Sequence, residues 1–511
     1  MSQIYVAEIT AYDPALPGAR TLRYCTGTGY TSGASDSPAH TFYEPRIEQP
    51  ANMHRSLASG GGTRGATRVG YGELVMVNID GGLDGLVDYG FDGLGIVIKL
   101  GTLRPWQSPV WTTVLQGTMA QADFSWGQLT ISLRDRQAEL DKPLQTAAYA
   151  GNNALPSGVE GVAGDIKGRE KPRLYGYGWN LEPVLVNTSR LIYQISDAAL
   201  QSVSAVYDRG AALTAGSAYA SQADMETNAP SAGQYRVWLA GGMFRIGSAP
   251  AGQITCDAVD GATSADRTAA QLAKQIMLDA GISAGDISSS DITALDTAAA
   301  SEVGYWLSGS TSAKQALDSV LGSVGAWWGV DRLGKFRLAR FDAPSGTPVA
   351  TLTPVEIIKI DRIASSDAPN TVWQVNLSYK PFGVTQASDL AGSVSAARRA
   401  ELAQPSRKVT ASDSSVKTLH ALADTLEVET HLADATAAQT EATRLLTLYK
   451  VRRDTLSVRV ALDADLAGAV DLGSVVSVQV PRYGYDAGRL MRVTSIRTDL
   501  RGGVLDLTLW G

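Results

Sequence analysis

The last forty-odd residues carry the clearest pattern of apolar and polar positions. Three strand-like runs, 475–480, 489–497 and Val504–Trp510, are separated by turn-rich segments at 481–484, 486–488 and 501–503. In the final run Leu505, Leu507 and Leu509 fall on one side and Asp506 and Thr508 on the other, which is the two-residue period of a half-buried strand. A meander of this kind predicts a small closed β-barrel. Residues 1–145 read similarly, with strands expected at 4–12, 22–24, 72–79, 95–100, 111–122 and 127–133 between Gly, Pro, Ser and Asp clusters. Residues 56–65 form a Gly-rich loop between two of these runs.

Gly/Pro-rich connectors at 150–168 lead into short β runs, the clearest at 191–195, 203–207, 234–239, 242–246 and 253–259. The period then changes to that of helices. Leu272, Ala273, Ile276, Met277 and Ala280 share one face of a helix over 264–280, stopped by Gly281. Ala316, Leu317, Val320, Leu321 and Val324 do the same over 312–324, followed by a hairpin of 326–330 and 335–341. A strand is expected at 372–379 and mostly helix across the Ala/Thr/Glu/Arg-rich stretch 389–450. In that stretch Ala438, Ala442, Leu445, Leu446 and Tyr449 line the buried stripe of a helix over 435–451.

The chain therefore reads as mainly β with α+β parts. Its expected domains are an N-terminal β domain (1–145), a β-rich middle domain (146–260), an α+β helix–hairpin module (261–345) and a C-terminal β-barrel domain (346–511) with a helical insertion at about 389–450. A length of 511 residues is too great for one core and agrees with several. Net charge is −7 with no basic block, which argues against sequence-independent nucleic-acid binding. The start has no basic segment followed by an apolar one, so no signal peptide is expected, and no apolar run is long enough to span a membrane. Cys25 and Cys256 have no metal or redox spacing and are expected as unpaired thiols.

Candidate chemistry is sparse. GGGTRG at 60–65 fits the dinucleotide fingerprint in letters only, since polar residues precede it and a strand follows where a helix is needed. GVDRLGK at 329–335 lacks the hydroxyl after the lysine of a P-loop, and that lysine opens a strand, so a hairpin turn is expected. Asp80, Asp84, Asp88 and Asp92 recur every four residues among glycines, a spacing that suits successive turns better than a calcium loop. Of the four histidines (His40, His54, His420 and His431) none lies in a zinc or triad motif, and His420 and His431 are expected at the surface. Trp327 and Trp328 could form a ligand platform, but adjacent strand residues face opposite ways, which favours one ring in the core and one against a neighbouring domain or subunit. No catalytic, cofactor or metal residue is assigned, and no cofactor is expected.

Several stretches resemble tail-tip and baseplate hub proteins of long-tailed bacteriophages and gene transfer agents. They are GLDGLVDYGFDGL at 82–94, ISLRDRQAELDKPLQT at 131–146, the dense segment 167–213, the helix–hairpin 312–342 and the terminal 472–510. The resemblance implies a structural, non-enzymatic virion protein at the distal end of a tail tube. It would form a homo-oligomeric ring, with three copies as a hub or six as an adaptor ring, and would contact tube and fibre or spike proteins. Two cysteines cannot supply the four thiolates of the iron–sulfur cluster some tail-tip proteins carry. Because the chain ends at its last strand run, receptor contact and wall digestion are expected to fall to other subunits. A carbohydrate-active or carbohydrate-binding tail protein is the alternative.

Overall fold

The computed structural model describes residues 2–34, 36–58, 63, 65–103, 109–153, 159–363 and 371–511. The mainly β, multidomain character expected from the sequence is what the structure shows. The largest sheet has 13 strands. Along its main path the order is Ala19–Cys25, Ser2–Tyr12, Gly95–Leu103, Trp111–Phe124, Gln128–Arg134, Arg68–Val77, Ile47–Ser56, Arg489–Asp499, Val504–Trp510, Thr455–Ala461 and Ile357–Ile363. The alternation of the last run is obeyed: Leu505, Leu507 and Leu509 are buried, and Asp506 and Thr508 are partly exposed.

The terminal strands form no closed barrel, contrary to the expectation from the meander. One edge of Arg489–Asp499 pairs with Val504–Trp510 along its length. The other edge is divided: its first part pairs with Val475–Val478, and residues 495–499 pair with residues 52–56. A strand from the start of the chain thus occupies the edge that barrel closure would use. Apolar residues of both chain ends share one core, among them Ile98, Ile131, Leu133, Val458, Val493 and Leu507.

Strand Ile47–Ser56 has no sequence signature because it contains Pro50 and lacks period-2 alternation. Pairing with Arg68–Val77 shifts register on either side of Pro50, between Gln49 and Asn52, which is how a sheet accommodates a residue with no N–H to donate.

Two five-stranded sheets follow. Arg173–Leu181, Ser202–Asp208 and Ile254–Val259 belong to one, and Ile192–Gln194, Gln234–Trp238 and Met243–Ile246 to the other. Leu174, Val206 and Cys256 from the first meet Tyr193, Tyr235 and Phe244 from the second in a common core, where the Tyr193 and Phe244 rings stack at 5.3 Å.

The helical period is realised by Ala269–Asp279 and Ala313–Gly322, whose predicted stripes are buried. Thr268 and Ser312 accept from the backbone N–H three residues on, and Gln315 returns the bond to complete a capping box. Residues 264–267 form a separate 3-10 turn, because Thr268 is extended. A third helix, Ser289–Ala298, has no clear signal in the sequence and packs on Phe336–Arg340.

The 389–450 stretch is less helical than its composition implies. Arg407–Ser412 and Asp424–Glu429 are strands on either side of Val372–Tyr379, and helix Ala435–Tyr449 packs on Val372–Tyr379 and Arg407–Ser412. The Thr- and charge-rich alternation of those two strands, outvoted by neighbouring alanines, is satisfied by pairing with a central strand.

Candidate functional site

The GVDRLGK segment closes the hairpin of Ala326–Val330 and Phe336–Arg340. Asp331 Oδ1 accepts from the N–H of Leu333 and of Lys335, each at 2.9 Å, and Gly334 takes φ +77°. That geometry is a turn and not a phosphate cradle. Its arginine instead serves as a tie. Arg332 donates to the carbonyls of Thr113 (2.5 Å) and Gly468 (2.8 Å), and its N–H donates to Asp471 (2.8 Å). Asp471 also pairs with buried Arg55 at 2.9 Å, which donates to the Val330 carbonyl at 3.0 Å. Four segments distant in sequence thus converge on two guanidinium groups and one carboxylate. Nothing in the linear sequence marks Arg55, Arg332 and Asp471 as partners.

Beside this tie lies a cleft of about 390 Å³, bordered by helix Ala313–Gly322, the hairpin and strand Asp424–Glu429. Asp318 accepts from the Trp328 indole N–H (2.8 Å) and from the Thr67 N–H (3.3 Å), and burial raises its carboxyl pKa. His431, expected at the surface, lies instead against Tyr305, ring centroids 4.9 Å apart, where burial lowers its pKa to about 4 and keeps it neutral at physiological pH. Its expected exposure fails because strand Asp424–Glu429 and the following turn fold under Gly304, whose N–H donates to the His431 carbonyl. Perturbed groups in a cleft are candidates for catalysis. Here Asp318 is engaged in holding Trp328 and Thr67, as a structural carboxylate would be.

The two tryptophans face opposite ways. Trp328 is in the core, and Trp327 lies over Gly473, next to the C-terminal strands. His420 is partly covered, His40 is exposed, and His54 sits on the large sheet beside Tyr71. GGGTRG falls mostly outside the described residues, as do parts of the loops at 56–65 and 150–168. Of the aspartate series, Asp80 and Asp88 lie on turns, Asp84 opens a 3-10 helix over Asp84–Leu86, and Asp92 bridges to Met119. Asp80 pairs with Arg46, Asp84 accepts from the Asn78 amide at 2.8 Å, and Asp88 and Asp92 are exposed. Among the described residues no three or more His, Cys, Asp or Glu side chains gather as a metal site. Cys25 and Cys256 are free and lie in different cores, and burial pushes the Cys25 thiol up to about 11.

Nothing in the sequence marks Asp135. It is buried, accepts from the N–H of Gly70 (2.7 Å) and Gln137 (2.9 Å), and burial raises its pKa to about 6.

Among the described residues the main path of the large sheet ends in two outer strands. Ala19–Cys25 is one, partly covered where the Cys25 N–H donates to the Glu44 carbonyl (2.8 Å) and the Arg23 carbonyl accepts from the Glu44 N–H (3.1 Å), and the other is Ile357–Ile363, which exposes Ile358 and Ile363 alongside Lys359 and Asp361. Further apolar side chains stand in solvent at loop tips, with Trp126 95% and Ile79 78% exposed on adjoining turns.

No family model matches the chain, and no curated protein matches it. Among solved structures it is similar to a tail protein from Neisseria meningitidis MC58, with 12% identity, 99% of this chain and 96% of that one covered, and a TM-score of 0.40. It is similar also to the 43 kDa tail protein of prophage MuSo2 from Shewanella oneidensis, with 12% identity, 99% and 98% covered, and a TM-score of 0.42. A chain of the native gene transfer agent virion is 17% identical over 67% of this chain and 84% of that one, with a TM-score of 0.43.

Proposed function

We propose that the protein is a non-enzymatic structural component of a phage-type tail, a tip or baseplate hub that joins the tail tube to the receptor-binding apparatus. The observation that carries the reading is the pair of outer strands on the large sheet, of which Ile357–Ile363 has no further strand beside it among the described residues. An outer strand offers a row of unpaired N–H and C=O groups, and a ring of copies would cover it with the neighbouring subunit. The resemblance of ordered sequence segments to hub proteins agrees with this, and so does the use of perturbed groups as ties within the fold.

Lys359 and Asp361 on the outer strand pair with each other at 2.7 Å, and such charges on an edge disfavour indiscriminate strand addition. The test is quantitative mass spectrometry of density-purified particles from the source culture, scaled to the major tail-tube protein. About three copies per particle is the expected result for a hub and about six would make it an adaptor ring. Absence from particles would overturn the structural reading.

A further inference from the structure

We propose that the solvent-facing side of the large sheet carries a binding site for a saccharide bearing one carboxylate. The site would lie where strand Arg489–Asp499 joins Ile47–Ser56 and Arg68–Val77. A shallow depression of about 420 Å³ opens there, lined by Asn52, His54, Tyr71, Glu73 and Arg497. This is within the size range of small-molecule sites.

Cross-strand register assembles the site. Arg497 lies opposite His54, and His54 opposite Tyr71; in the next row Asn52 lies opposite Glu73. Register shifts flank it on both sides in the pairing of Ile47–Ser56 with Arg68–Val77, between Gln49 and Asn52 at one end and between His54 and Ser56 at the other. Bulges of this sort re-aim side chains and concentrate beside functional sites.

The side chains define the ligand. Among the described residues the Arg497 guanidinium donates no hydrogen bond and joins no ion pair, unlike Arg459 nearby, which is paired with Asp506. A guanidinium matches a carboxylate in two parallel hydrogen bonds. Tyr71 is 54% exposed and set edge-on to His54, with centroids 5.6 Å apart, so one ring is open to an apolar sugar face. The Asn52 amide and Glu73 carboxylate supply the mixed donors and acceptors that hydroxyl groups need. Glu73 and Asp499 at one rim oppose a polyanion, which excludes nucleic acid and disfavours an acidic peptide.

The experiment is saturation-transfer NMR and titration of the full chain with glucuronic acid, N-acetylneuraminic acid and glucose. An acidic sugar should bind with Kd on the order of 1 mM, and glucose about tenfold more weakly. Arg497→Met should abolish the preference for acid, and Tyr71→Ala should weaken all binding by about tenfold. Both side chains are exposed, so unchanged melting temperatures would show that the variants fold. Arg134→Met, one strand beyond Tyr71, should leave binding unchanged. The proposal is overturned if no acidic sugar binds at about 20 mM, if binding survives both site variants, or if a poly-glutamate peptide binds more tightly through the same Arg497. Particle copy number is independent of every one of these readouts.

Discussion

Two titratable residues, buried Asp135 and half-buried His431, act in opposite directions on stability. The Asp135 carboxyl is raised from 3.8 to about 6, so its contribution is fully present below its ordinary value and is lost as pH rises through about 6. His431 is lowered from 6.5 to about 4, so its contribution is present above its ordinary value and is lost as pH falls toward 4. Between about pH 4 and 6 these two trends offset each other. His431→Asn should uncover the aspartate trend, with stability falling from pH 4.5 to 7 by on the order of 2 kcal/mol; Asp135→Asn should uncover the reverse. Urea unfolding at both pH values checks this, and parallel profiles in all three proteins would refute it. At Gly473 the constraint is steric. A Cβ would come within 2.3 Å of the Trp327 ring, on a backbone at φ +77°. Gly473→Ala should therefore lower stability by about 2–4 kcal/mol in thermal unfolding. Neither His431 nor Gly473 announces its role in sequence, since burial and ring contact come from residues far along the chain, Tyr305 and Trp327.

Elements are legible where one period dominates a run. Val504–Trp510 can be read from alternation alone, and the buried stripes of Ala313–Gly322 and Ala435–Tyr449 from helical spacing. Ile47–Ser56 is illegible because Pro50 and its bulges break the period, and 407–429 because its strand pattern sits among helix-forming residues. The GVDRLGK turn is legible as a hairpin, yet its part in the fold depends on Arg332 and on Arg55 from strand Ile47–Ser56. Removing the Arg55 guanidinium leaves the Asp471 carboxylate without its ion pair and the Val330 carbonyl without a donor. Arg55→Met should cost about 3–5 kcal/mol. Hydrogen exchange should rise first in 326–340, and uniform exchange across the chain would show that the tie is not local to the hairpin.

For the whole molecule, the consequence of an unclosed terminal meander is cooperativity between the chain's ends. Leu507 packs in the same core as Ile98 and Leu133, and residues 495–499 are hydrogen-bonded to residues 52–56. Truncation of Leu507, 1% exposed, to alanine should cost about 3 kcal/mol. The loss should appear as faster amide exchange in Ile47–Ser56 and Arg68–Val77 as well as in Val504–Trp510, because one core unfolds as a unit. The sandwich core around Phe244 and Cys256 is built from other residues and should keep its protection. Faster exchange confined to 455–510 would mean that the terminal strands open alone, and the barrel-like independence expected from their sequence would be restored. In the ring proposed above, the outer strands Ala19–Cys25 and Ile357–Ile363 would stand at opposite ends of one continuous sheet, and load received from one neighbour would pass through backbone hydrogen bonds to the next.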